Sequence, residues 1–196
     1  MRPVVVLTTF ATIFPAELPD KTMVTSLILT ARSGRPLAVW AGASSALLAH
    51  AVLAVVAGGL MAALPGRLVA LVAALLFAAG AVVLLREGGG IDDRADVAGP
   101  GRLTTPWAAA RTAAAVVFVA EWGDLSQLAT ASLAARSGEP VSVFLGAALA
   151  LTAVAGVAVV SGRALLRVLP VALLGRIAAA VFATLAVVSL VKAVRG

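Results

Sequence analysis

Apolar residues run almost without interruption through six stretches of the chain, at residues 3–29, 37–60, 68–85, 107–134, 141–161 and 177–194. A helix crossing a bilayer needs about 20 apolar residues, and the third and sixth stretches sit near the short limit. No stretch alternates apolar and polar with a period of two, so the pattern predicts helices and not barrel strands. The connectors are short and carry turn chemistry: Arg32-Ser33-Gly34-Arg35-Pro36, Leu64-Pro65-Gly66-Arg67, Arg136-Ser137-Gly138-Glu139-Pro140, and a break around Pro170. One longer connector, residues 87–106, holds Gly88-Gly89-Gly90, Asp92-Asp93 and Gly99-Pro100-Gly101 and reads as a flexible, exposed linker. The first stretch is no obvious signal peptide, because Glu17 and Asp20 follow its apolar run without a small-residue cleavage site.

Shifting the chain by 104 residues lays residues 14–47 over 118–151 with 15 of 34 positions identical. The matches include Glu17/Glu121, Asp20/Asp124, Arg32/Arg136, Gly34/Gly138, Pro36/Pro140 and Gly42/Gly146. Past one inserted residue the match resumes at Pro65/Pro170 and Phe77/Phe182. Alanine- and valine-rich sequence produces chance identity, but not matched acids, glycines and prolines. The expected architecture is an all-α membrane protein: a three-helix repeat over residues 1–86, the acidic linker 87–106, and a second three-helix repeat over 107–196. Three spans per half force the second half to enter from the opposite side. The repeats are then inverted about an axis in the membrane plane, an architecture associated with transporters.

Composition narrows the classes. The chain is 62% hydrophobic and 12% charged, where soluble domains carry about 25% charged residues. It has no Cys and one His, which excludes a cysteine nucleophile, a Cys/His zinc cluster and a disulfide framework. The formal charge of +6 is spread singly between apolar stretches and gives no patch for nucleic acid. Counted by side, nine cations (Arg32, Arg35, Arg86, Arg94, Arg102, Arg111, Arg163, Arg167, Arg176) face five (Arg2, Arg67, Arg136, Lys192, Arg195). The richer side is expected to be cytoplasmic, with the central loop. Much Ala and Arg with little Lys suggests a GC-rich bacterial genome, and so a bacterial plasma membrane.

The nine acids then carry the chemistry. Glu87, Asp92, Asp93 and Asp96 lie in or beside the linker, Glu139 in a turn, and the other four form two copies of Glu-x-x-Asp inside spans: Glu17/Asp20 and Glu121/Asp124. An ionisable group at that depth costs at least about 2.5 kcal/mol. Spacing of three places each Glu and Asp on one helix face. If the two helices face each other, four carboxylates converge, and they need a divalent cation or protons for compensation. One displacing the other is the physics of a cation/proton antiporter. Thr22 and Ser126 add hydroxyl oxygens at matching positions, and Gln127 a carbonyl oxygen. Pro15 and Pro19 remove backbone donors and free carbonyls. Such an all-oxygen set suits Mn²⁺, Ca²⁺ or Mg²⁺. The plainer alternative puts Glu17 and Asp20 in the headgroup region, paired with Lys21; the apolar length on both sides of Glu17 argues against it.

At these residues the chain resembles the transmembrane protein 165 family, also called uncharacterised protein family 16. Its hallmark is two copies of Glu-x-Gly-Asp-(Lys/Arg)-(Thr/Ser), one in each three-span half. Here they read Glu17-Leu18-Pro19-Asp20-Lys21-Thr22 and Glu121-Trp122-Gly123-Asp124-Leu125-Ser126, so Pro19 and Leu125 depart from the pattern. The resemblance covers essentially the whole chain. It implies secondary transport of Mn²⁺ and/or Ca²⁺ in exchange for protons, outward from the cytoplasm, with no permanently bound cofactor. The expected partners are the bilayer, divalent cations and protons; a homo-oligomer is compatible with the sequence. The metal-ligating candidates are Glu17, Asp20, Thr22, Glu121, Asp124, Ser126 and Gln127. A rival reading is an exporter of another cationic solute, such as a basic amino acid. An intramembrane enzyme has no supporting motif. His50, with Val154 at its repeat position, reads as a local hydrogen-bonding residue that the second half does without, ahead of a proton relay or a cavity-lining residue.

Overall fold

The computed structural model describes residues 1–18, 21–86, 105–168 and 171–195. Pro19, Asp20 and the acids of the linker lie outside the described residues. Within them the chain folds into helices α1 (Pro3–Glu17), α2 (Lys21–Ser33), α3 (Pro36–Met61), α4 (Gly66–Arg86), α5 (Pro106–Ala120), α6 (Leu125–Ser137), α7 (Pro140–Val168) and α8 (Val171–Arg195). Six continuous helices are expected from hydropathy and eight are found. The first stretch of each half is divided at its Glu-x-x-Asp motif. Hydropathy does not register such a break, because both flanks stay apolar. Among the described residues, two helical segments are long and apolar enough to cross a bilayer on their own, Pro36–Met61 and Pro140–Val160. The half-helices α1 and α5, at 15 residues each, reach only about 22 Å.

Local chemistry sets the helix ends. Proline opens α1, α3 and α5, where its missing N–H costs nothing. Thr105 caps α5 by accepting from the Ala108 N–H at 3.1 Å. The Arg-Ser-Gly-x-Pro turns have the same conformation in both halves. Gly34 and Gly138 adopt φ of 64° and 66°, a left-handed geometry that favours glycine. The Ser33 and Ser137 hydroxyls accept from the N–H groups of Arg35 and Glu139.

The halves are interleaved. Helix α3 packs on α5 and α6 of the other half, α7 packs on α1 and α2, and α3–α7 and α4–α8 meet between the halves. Repeat-related residues do equivalent work. A Cβ on Gly42 would collide with the Ala110 backbone carbonyl, and one on Gly146 with that of Val6; the two glycines are 104 residues apart, and so are Val6 and Ala110. Ile13 and Val117 are fully buried in one core with Leu47 and Leu151. Phe77 and Phe182 meet edge to face at 5.6 Å. The outer surface is apolar, with Val4, Leu7, Val56, Leu75, Val160 and Val194 exposed, a surface suited to lipid. At one end of the bundle Arg2 pairs with Glu139 at 3.3 Å and donates its backbone N–H to Ser142, which joins the start of α1 to the α6–α7 turn.

The glycine contacts carry a prediction. Gly42→Ala and Gly146→Ala each press a methyl group into backbone and should lower the thermal unfolding midpoint in detergent, at a cost of about 1–3 kcal/mol. Gly59, also in α3, faces open space. Gly59→Ala should leave the midpoint unchanged or raise it.

Candidate cation site

The divided helices meet where the motifs fall. Glu17 is the last residue of α1, and Glu121 is the C-cap of α5. Both are almost fully buried, at 1% and 2% exposure. Gly123 at φ +77° turns the chain sharply after α5. Asp124, in extended conformation, caps α6 by accepting from the Ser126 N–H at 3.4 Å, and the Ser126 hydroxyl donates to the same carboxylate at 3.3 Å. Thr22, fully buried near the start of α2, lies between the halves. Its Oγ1 is 3.1 Å from Glu17 Oε1 and 2.7 Å from Glu121 Oε1.

Charge balance follows from this geometry. A threonine hydroxyl has one proton to donate, yet two carboxylate oxygens stand within its reach. A proton or a cation held with the two carboxylates offsets their mutual repulsion. The backbone favours the same outcome, because α1 and α5 direct their negative ends at the site. One oxygen each from Glu17, Glu121 and Asp124 lie within 4.8 Å of one another. Ligands 2.3–2.6 Å from a common Ca²⁺ are at most about 5 Å apart, so this set can hold one ion. The donors are all oxygen, which suits hard cations.

The sequence candidates divide by position. Glu17, Thr22, Glu121 and Asp124 converge. Ser126 sits behind Asp124. Gln127 directs its amide nitrogen to His50 Nδ1 at 2.7 Å and to the Glu121 backbone carbonyl. Asp20 lies outside the described residues. A small cavity opens beside Glu121, lined by His50, Ser126, Gln127, Thr130 and the apolar Leu47, Ala51 and Leu151. It has room for little more than one water. Trp122 is exposed, with its ring against those of His50 and Phe118 at 5.8 and 5.3 Å.

The family model described as divalent cation/proton antiporter GDT1 matches residues 5–92 and again 109–196. The chain belongs to this antiporter family. The two matched segments are offset by 109 − 5 = 104 residues, the same shift that aligns the halves. No curated protein and no solved structure matches the chain. In this antiporter-family chain each matched segment therefore carries one Glu-x-x-Asp motif, and the two Glu residues approach through Thr22. Family members are membrane transporters and not enzymes. The His50–Gln127 contact is absent from the sequence reading of the site. A signal for it was available in the repeat: His50 and Gln127 correspond to Val154 and Met23, so the two polar residues become apolar together.

Proposed function

We propose that the chain exports Mn²⁺ or Ca²⁺ across the plasma membrane of a bacterium in exchange for protons, with Glu17, Glu121, Asp124 and Thr22 holding the ion. In this reading α1–α2 and α5–α6 are two crossings broken at mid-depth. With α3, α4, α7 and α8 they make six crossings in two inverted halves. Broken helices that aim backbone ends at a buried site are a recurrent transporter device. The observation that carries the reading is the convergence of carboxylates from both halves on one buried hydroxyl. Asp20 completes the set by its repeat relation to Asp124. The small volume beside Glu121 favours a bare ion over a basic amino acid.

The test is cation-driven proton movement in liposomes holding a pH dye. Applied Mn²⁺ or Ca²⁺ should move protons, and lysine should not. Proton flux with lysine alone would transfer the site to the amino-acid reading. Competition between ion and proton also fixes a pH dependence. Each proton displaced per ion should weaken apparent cation affinity by about tenfold per pH unit, in the range where the site is protonated. Initial rates against ion concentration at several pH values measure that slope.

A further inference from the structure

The pair formed by His50 and Gln127 makes the two halves unequal. His50 is buried on α3 at 1% exposure. Its Nε2 lies 3.0 Å from the Phe118 carbonyl oxygen, which accepts only, so Nε2 carries the proton. Nδ1 is then the acceptor for the Gln127 amide. That same amide nitrogen also contacts the Glu121 carbonyl oxygen, so it cannot be the amide oxygen. The contacts fit the neutral ring, with one donor and one acceptor. They also explain how α5 ends. The Trp122 N–H turns to the Val119 carbonyl, and His50 takes the Phe118 carbonyl released from the helical ladder. Gln127 takes the carbonyl of Glu121. Phe118 stacks on the imidazole with ring centres 4.5 Å apart. At the corresponding positions of the other half stand Val154 and Met23, which supply neither donor nor acceptor side chains of this kind.

We infer that His50 and Gln127 form a one-sided clamp that holds the α5–α6 break and gives the exchanger an unequal preference between its two alternating arrangements. His50 is a positioning residue that acts through Gln127 and the backbone of Glu121. The inference rests on the inverted-repeat transport reading above. In a perfectly repeated chain, exchanging the roles of the halves gives two arrangements of equal energy. The halves here already differ at many positions, and a hydrogen-bonded pair present in one half only adds a bias of its own. The three neutral hydrogen bonds of the clamp are worth a population ratio of about tenfold or more.

The chain has no cysteine, so single reporters are clean. Ala51 lines the cavity, and its repeat partner Ala155 is likewise buried. The experiment compares labelling rates of Ala51→Cys and Ala155→Cys by a membrane-impermeant thiol reagent in vesicles, with each face exposed in turn. In the otherwise native chain Ala51→Cys should label faster. H50V/Q127M should lower the Ala51-to-Ala155 rate ratio about tenfold. H50V and Q127M alone should each lower it as far as the pair does, because either breaks the clamp. His50→Gln, which keeps an N–H for the Phe118 carbonyl and an acceptor for Gln127, should stay nearer the native ratio. Moving the pair across, with M23Q/V154H added to H50V/Q127M, should lower the ratio further than H50V/Q127M does, a directed shift that misfolding does not give. A ratio within twofold of native in H50V/Q127M overturns the inference, as does a folded quadruple variant whose ratio is no lower than that of H50V/Q127M. Labelling requires no transport. A chain that moves no cations but shows the predicted ratios would sink the proposed function and leave the clamp standing.

Discussion

Glu17→Gln and Glu121→Gln are each expected to abolish cation-driven proton flux, by at least about 100-fold, and the double substitution should do no further harm. The two residues belong to different halves and sit at the ends of different helices, yet their carboxylates share one hydroxyl. Removing one charged partner from a buried cluster costs about 3–5 kcal/mol, which corresponds to that loss. Because both act on one ion, the second removal finds nothing left to break, and the effects should be grossly non-additive. Initial rates in liposomes check this, with protein folding followed separately by thermal unfolding. Two half-strength losses that multiply would mean two independent sites instead of a shared one.

The second large effect concerns residues that the repeat makes equivalent and the structure separates. Thr22 lies between both glutamates, whereas the Ser126 hydroxyl donates to Asp124. Thr22→Val replaces the hydroxyl by a methyl group of similar size and leaves the two carboxylates without the group that joins them. Hydrogen bonds to charged groups are worth about 1.5–3 kcal/mol, so apparent cation affinity should fall about 10- to 100-fold. Ser126→Ala loses one long contact of 3.3 Å and keeps the backbone cap from the Ser126 N–H, so a loss of only a few-fold is expected. Concentration dependence of transport in the two variants decides it, and equal losses would contradict the placement of Thr22.

The repeat was legible in the sequence because its signals are local and polar. Glu17/Glu121 and Gly42/Gly146 are found by sliding the chain past itself. The fold shows what the glycine pair does: each permits its helix to approach the first helix of the opposite half. The division of the first stretch of each half was less legible. Hydropathy is an average over a window, and the break after Glu121 depends on one glycine dihedral and one aspartate cap. The site was legible as a set of oxygen donors but not as a geometry. Sequence alone treats Thr22 and Ser126 as a matched pair, and only packing brings Thr22 to the glutamate of the other half. The His50–Gln127 pair needed packing for a different reason. Its members are 77 residues apart and meet at the carbonyl end of α5 only once α3 lies against α5 and α6.

In the proposed exchange one cation replaces protons on carboxylates from both halves. Proton release on adding Mn²⁺ or Ca²⁺ to purified protein, in weakly buffered detergent solution with a pH indicator, tests it without vesicles or gradients. Saturable release of at least about one proton per ion bound is expected, lost in both Glu17→Gln and Glu121→Gln. Saturable ion binding with no proton release, or release unchanged in both variants, would contradict it.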